Sequence, residues 1–193
     1  RKGILERNRH RAGSLTLSSN GVHYAWDWEG IRFINLNISA GTNIHPYDPQ
    51  NSLGFLNSEL ARLSDKNQPL VLLQHFGFDK RNSLSWWPES WRTTYYEAIK
   101  DYNILGIIHG HDHETEIYRG KDIDIYDAPH IRDADVPDKP VRHGFFVVQI
   151  TGNEMVVAER KLDDTWGLTA RKKIQSNRNL RTQRDPNPNF YFL

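Results

Sequence analysis

The chain has 193 residues, enough for one folded unit with a real apolar core. Lys and Arg total 25 against 24 Asp and Glu, so no overall field draws it toward nucleic acid, a membrane surface or acidic substrates. The lack of cysteine excludes disulfides and thiolate metal sites and leaves nitrogen and oxygen donors for any transition metal, without fixing the compartment.

The stretch from Arg1 to Arg11 is too polar for a secretory signal, and no apolar run approaches the roughly 18 residues of a membrane span, so the chain is expected to be soluble as given. Its opening twenty residues read as irregular or weakly helical. From His23, Tyr24, Trp26 and Trp28 alternate with His23, Ala25 and Asp27, the period of a strand. Glu29-Gly30 turns the chain into Ile31 to Leu36, predicting a β-hairpin. After a loop rich in Gly, Asn and Pro, Ser52 is placed to cap a helix that carries Leu53, Leu56, Leu60 and Leu63 on one face.

Pro69 to His75 is a short apolar run of the kind found in strands covered on both faces. Pro88 opens a second helix to about Tyr102, and Ile104 to Ile108 is a second buried strand, so the interval suits a parallel crossover. From Thr115 the pattern becomes that of an antiparallel sheet: Thr115 to Tyr118, Ile123 to Tyr126, Phe145 to Ile150 and Met155 to Glu159, with a further strand at Thr169 to Ile174. Residues 1–174 form the expected domain, and residues 175–193 a polar, basic tail, poorly ordered unless Phe190, Tyr191 and Phe192 dock on the body. Arg171, Lys172, Lys173, Arg178, Arg181 and Arg184 crowd this end, where a solvated tail is a commoner meaning than a nucleic-acid site.

Chemistry concentrates in Ile107-Ile108-His109-Gly110-His111-Asp112-His113, three histidines at alternate positions directly after a buried strand. If the chain stays extended, their side chains leave on one side. His75 ends the preceding buried strand, and ligands of open α/β sheets bind beyond the carboxyl ends of strands, so His75, His111 and His113 are expected to converge as metal ligands. His109 lies within the strand and faces the core. His10, His23, His45, His130 and His143 show no partner pattern, which leaves them structural or solvated.

Gly110-His111-Asp112-His113 and Gln74-His75-Phe76-Gly77 resemble the last two metal-binding motifs of the calcineurin-like metallophosphoesterases. The hairpin Gly21 to Trp28, followed by Phe33-Ile34-Asn35-Leu36-Asn37, is similar to one branch of that superfamily, and the resemblance runs from about Ser18 to Arg160. It implies an α/β fold, the C-terminal portion of a layered α/β/β/α sandwich with mixed sheets. It also implies two metal ions, iron, manganese or zinc, with His75 and His111 on one ion and His113 on the other, and hydrolysis of a phosphate ester by metal-activated water. Phe76, Phe78, Trp86 and Trp87, in loops beside these ligands, are candidates for shaping the substrate pocket.

The family's Asp-x-His, Gly-Asp-x-x-Asp and Gly-Asn-His-Asp motifs do not occur in this sequence. Three histidines and water do not satisfy two metals that each want about four to six ligands. The expectation is therefore an incomplete, inactive portion whose aspartates come from an N-terminal segment or another chain. Two alternatives stand beside it. One is a degenerate fold kept as an interaction module. The other is a metallo-β-lactamase-type hydrolase, whose His-x-His-x-Asp-His signature is one residue longer than the string here.

Overall fold

The computed structural model of the chain describes residues 6–8, 13–43, 50–78, 86–130 and 144–174. In chain order these hold β1 (Thr16–Leu17), β2 (Tyr24–Trp28), β3 (Ile31–Asn35), α1 (Ser52–Ala61), β4 (Leu70–Leu73), α2 (Glu89–Ile99) and β5 (Ile104–His109). Then follow β6 (Glu116–Gly120), β7 (Ile123–Asp127), β8 (Gly144–Thr151), β9 (Glu154–Lys161) and β10 (Trp166–Lys173).

The hairpin forms where alternation predicted it. Glu29 and Gly30 both take positive φ, 50° and 76°, as a two-residue turn matched to strand twist requires. Trp28 then pairs with Ile31 and Trp26 with Phe33, whose rings stack 5.0 Å apart. β3, β4 and β5 run parallel, joined by crossovers through α1 and α2, and β7 lies parallel on the far side of β5. The seven-stranded sheet has the order β1-β2-β3-β4-β5-β7-β6, while β10-β9-β8 make a second, antiparallel sheet.

Side-chain alternation divides the core in two. Ile34, Leu70, Leu72 and Ile107 face Leu56 and Leu60 of α1 and Tyr95 and Ile99 of α2. Ile31, Phe33, Val71, Leu105 and Tyr126 face Met155, Val157 and Ala170 of the second sheet. The fold is thus mixed α/β, layered as helices, large sheet and small sheet. Among the described residues no helix covers the outer face of the small sheet, which exposes Phe145 and Trp166.

Several local expectations change. Strands from Thr115 onward do not make one antiparallel sheet: β6 and β7 extend the large sheet and only β8 to β10 form the small one. A period of two identifies the buried face of a strand but not its neighbour. β1 lies within the opening stretch expected to be irregular or helical, pairing Thr16 with Ala25. Ser52 is the first helical residue, not the cap; its hydroxyl donates to the Ser39 carbonyl and accepts from Gly41 N–H, fastening the loop that precedes α1. The tail from Gln175, with Phe190 to Phe192, lies outside the described residues.

Tyr95 is wholly buried between Trp87 and Phe78, and burial pushes its ionisation well above the ordinary tyrosine range. Its hydroxyl has no hydrogen-bond partner among the described residues. Tyr95→Phe is therefore expected to be neutral or to stabilise by about 1 kcal/mol, read as a raised urea midpoint at constant slope. A loss of stability would reveal a partner for the hydroxyl.

Candidate functional site

Because β4, β5 and β7 are parallel, their carboxyl ends emerge along one edge of the large sheet. Backbone hydrogen bonds continue past the strands and stitch the emerging loops together. Gln74 N–H donates to Ile108 O at 3.1 Å, Gly110 N–H to His75 O at 3.3 Å, and Ala128 N–H to His109 O at 2.7 Å. The N–H groups of His75 and Phe76 both donate to Ile38 O, at 3.0 and 2.9 Å, which ties in the loop after β3.

His75 and His111 meet at this edge. His111 Nδ1 stands 3.1 Å from His75 Nε2, with the two rings at 81°. The condition that the chain stays extended past Gly110 is not met: His111 and His113 take φ of 92° and 61°, in the left-handed region. Such backbone is costly for a residue with a Cβ and persists where surrounding contacts enforce it. Two residues beyond His113 the chain is tied to the small sheet: Thr115 Oγ1 donates to buried Glu159 Oε1 at 2.7 Å, and Glu159 Oε2 accepts from Leu168 N–H at 3.0 Å.

The turn carries His113 onto His130, and their rings stack at 4.0 Å and 30°. His130 had no partner pattern in the sequence, yet it lies just beyond the carboxyl end of β7, as His75 lies beyond β4. The same positional signal would have found it had the parallel placement of β7 been known. His109 is buried in the core, as its place inside the strand implied. His23 is structural: it is buried beside Phe55 at 5.9 Å and bonds Gln50 O at 3.1 Å. His10, His45 and His143 lie outside the described residues.

The four aromatic candidates separate. Phe76 and Trp86 flank His111, with ring centroids 4.8 and 5.9 Å from the imidazole, and Trp86 is 61% exposed. Phe78 and Trp87 instead belong to the core beneath α2. Trp87 is fully buried and donates its indole N–H to Ala40 O at 3.0 Å, while Phe78 packs against Trp87 and Tyr95. Both side chains are buried in that packing.

Desolvation, reinforced by the neighbouring imidazoles His111 and His113, holds the His75 imidazole below the ordinary histidine range. Desolvation does the same for His113, with His130 and His111 next in effect. Lowered values keep these nitrogens unprotonated near neutrality, the form that binds metals. They also set the sign of a pH effect. Between the depressed folded values and the ordinary unfolded value near ~6.5, the unfolded chain binds more protons, so stability rises with pH across that window. In metal-free buffer the melting temperature is expected to hold above that unfolded value and to fall as pH drops below it. His75→Gln combined with His113→Gln should flatten the decline; an unchanged slope would place its origin elsewhere.

Two metal bonds of about 2.0–2.1 Å at roughly 90–110° set ligand nitrogens about 2.9–3.4 Å apart, and the His75–His111 pair has that spacing. The fit goes no further. Among the described residues no group of three or more His, Cys, Asp or Glu side chains is arranged to hold a metal ion. Among the described residues the donors amount to two facing ring nitrogens and not to a complete two-metal site. No helix among the described residues is long and apolar enough to cross a membrane.

No family model matches the sequence, and no curated protein matches it. Among solved structures the chain is similar to vacuolar protein sorting 29 (Vps29) from Cryptosporidium parvum, with TM-score 0.36 and 14% identity over 52% of this chain and 50% of that one. The chain thus spans half the length of that protein. Wild-type Vps29 from Entamoeba histolytica complexed with zinc gives TM-score 0.34 and 14% identity, covering 75% of this chain and 99% of that one. A conserved protein from Streptococcus pneumoniae TIGR4, described as a predicted phosphoesterase, gives TM-score 0.32 and 10% identity over 73% and 96%. Superpositions this loose assign no activity, and function has to be argued from this chain's own side chains.

Proposed function

We propose that this chain supplies the histidine side of a site that hydrolyses a phosphate ester with metal-activated water. The observation that carries the proposal is the 3.1 Å approach of His111 Nδ1 to His75 Nε2 at the carboxyl edge of the parallel strands. In this reading His75 and His111 hold one ion, iron, manganese or zinc, and His113 faces a second. The preference for a phosphate ester follows the resemblance of the two histidine motifs to the metallophosphoesterases. Phe76 and Trp86, beside His111, border the space a substrate would enter. In this reading the carboxylate ligands come from an N-terminal segment or another chain, since the family's Asp-x-His, Gly-Asp-x-x-Asp and Gly-Asn-His-Asp motifs do not occur in this sequence.

One observation favours a second reading, an interaction module of the same fold without catalysis: no carboxylate joins the histidines in a metal-holding group among the described residues. Titration of the full chain with Zn²⁺, and separately with Mn²⁺, by calorimetry at pH 7.5 separates the two. The hydrolytic reading expects saturable binding that competes with a chelator, and turnover of an aryl phosphate once a carboxylate-bearing segment is supplied. A chain that binds neither ion, with or without that segment, is an interaction module.

A further inference from the structure

We infer that His109 is the positioning residue of the histidine site, locking the loops after β4, β5 and β7 in the register that brings His75 and His111 together. The inference rests on the proposed function for what the site does, and on its own contacts for the geometry.

His109 ends β5 and is 2% exposed. Its Nδ1 lies 2.8 Å from Gly110 O and 3.4 Å from Asp127 Oδ1, and its Nε2 lies 3.1 Å from the Tyr118 hydroxyl. A carbonyl oxygen only accepts, so Nδ1 carries the hydrogen; in the neutral ring Nε2 then accepts from Tyr118. The polar contacts of the ring therefore orient it completely, and they reach β6 and the fully buried Asp127 at the end of β7.

The ring also shapes the loop after β4. A Cβ on Gly77 would stand 2.8 Å from His109 Nε2 and 2.9 Å from its Nδ1, closer still to Cε1. Residue 77 lacks a side chain at the point where the imidazole occupies the space, so the His75-Phe76-Gly77 turn closes directly on the ring. The His109 carbonyl meanwhile accepts from Ala128 N–H, two residues before His130. One residue thus touches all three loops from which His75, His111 and His113, and His130 project. A hydrocarbon side chain of similar volume would fill the cavity without fixing the rotation of the loops about one another.

Three variants of the full chain test this: His109→Leu, which keeps volume and loses the polar contacts; His109→Asn, which keeps a donor at the Nδ1 position; and Tyr118→Phe, which removes one hydroxyl. Zn²⁺ affinity and the ring ¹⁵N shifts of His75, His109 and His111 are read for each, alongside thermal melting. The parent is expected to show His109 with hydrogen on Nδ1. His109→Leu should weaken Zn²⁺ binding by at least about tenfold, as loss of an outer-shell partner does, and move the His75 and His111 shifts, with His109→Asn recovering most of both.

Should His109→Leu not fold, Tyr118→Phe decides, expected to move the same shifts in a protein that melts near the parent. Hydrogen on Nε2 in the parent would overturn the inference. So would a folded His109→Leu, or a Tyr118→Phe, that leaves the His75 and His111 shifts in place. If the parent binds neither Zn²⁺ nor Mn²⁺, alone or with a carboxylate-bearing segment, the proposed function fails, while the nitrogen shifts still judge His109.

Discussion

His111→Ala is expected to lower the affinity of the chain for Zn²⁺ by more than about a hundredfold, past the ~10–100-fold range typical of outer-shell partners. His111 is the residue on which the site turns. Its Nδ1 faces His75 Nε2, its ring edge meets Phe76 and Trp86, and its backbone sits at φ 92°. Removing the imidazole deletes one of the two facing nitrogens and the wall against which both aromatics rest. Under the proposed function, and once a carboxylate-bearing segment is supplied, the same change, or His113→Ala, should abolish turnover of an aryl phosphate. Calorimetric titration and a chromogenic phosphatase assay measure the two effects. Near-normal turnover in either variant would remove that histidine from the site, and a His111→Ala chain that binds Zn²⁺ as the parent does would detach metal binding from the 75–111 pair.

The second large effect concerns stability. Glu59 of α1 is completely buried and accepts from Arg32 of β3, through Nε at 3.1 Å and through a second guanidinium nitrogen. Arg32 also donates to Asp27 Oδ2 at 2.7 Å and to Thr16 Oγ1 at 2.9 Å, and Arg62 reaches the other Glu59 oxygen at 2.7 Å. Among the described residues Glu59→Ala removes the one fully buried carboxylate that meets this nearly buried cation, leaving Asp27, whose side chain is 60% exposed, and the Thr16 hydroxyl. The expected cost is about 3–5 kcal/mol, because breaking one half of a buried pair strands the other. Urea denaturation measures it. Exchanging both partners, as Arg32→Met with Glu59→Leu, should return most of the loss, since an apolar pair of similar volume avoids desolvation altogether. A double variant as unstable as Glu59→Ala alone would show that the charges contribute more than their mutual compensation.

These two effects arise in different ways. The ion pair joins the first crossover helix to the central sheet at the end remote from the histidines, and its loss is expected to be felt as global unfolding. The histidines sit on loops whose geometry is imposed from outside, by Ile38, by Glu159 through Thr115 and by the ring of His109. Functional loops held by a rigid scaffold behave in this manner, and their residues tolerate exchange with little cost to the fold.

Much of the architecture was legible in the amino-acid order because it rests on local physics. Alternating aromatics around Glu29-Gly30 specify a hairpin; Leu53, Leu56 and Leu60 specify a helix face; and the apolar runs at Leu70 and Ile104 specify strands covered on both sides. Histidines placed just after such strands pointed to one edge of a parallel sheet. Other features depended on which strands are neighbours, and periodicity carries no information about that. The insertion of β7 between β5 and β6 brings His130 onto His113, and nothing local to residue 130 announces it. The division of Phe76 and Trp86 from Phe78 and Trp87 depended on the direction in which each loop turns over α2, which long-range packing settles. Nor does an alternating string of histidines reveal that His111 and His113 adopt left-handed backbone, in a turn that ends at Thr115 on a bond to a sheet whose strands come later in the chain. Composition and short-range pattern determined the elements and the kinds of donor available. The tertiary structure decided which donors meet, because a meeting between residues far apart in sequence is set by strand order and by the packing of one layer on another.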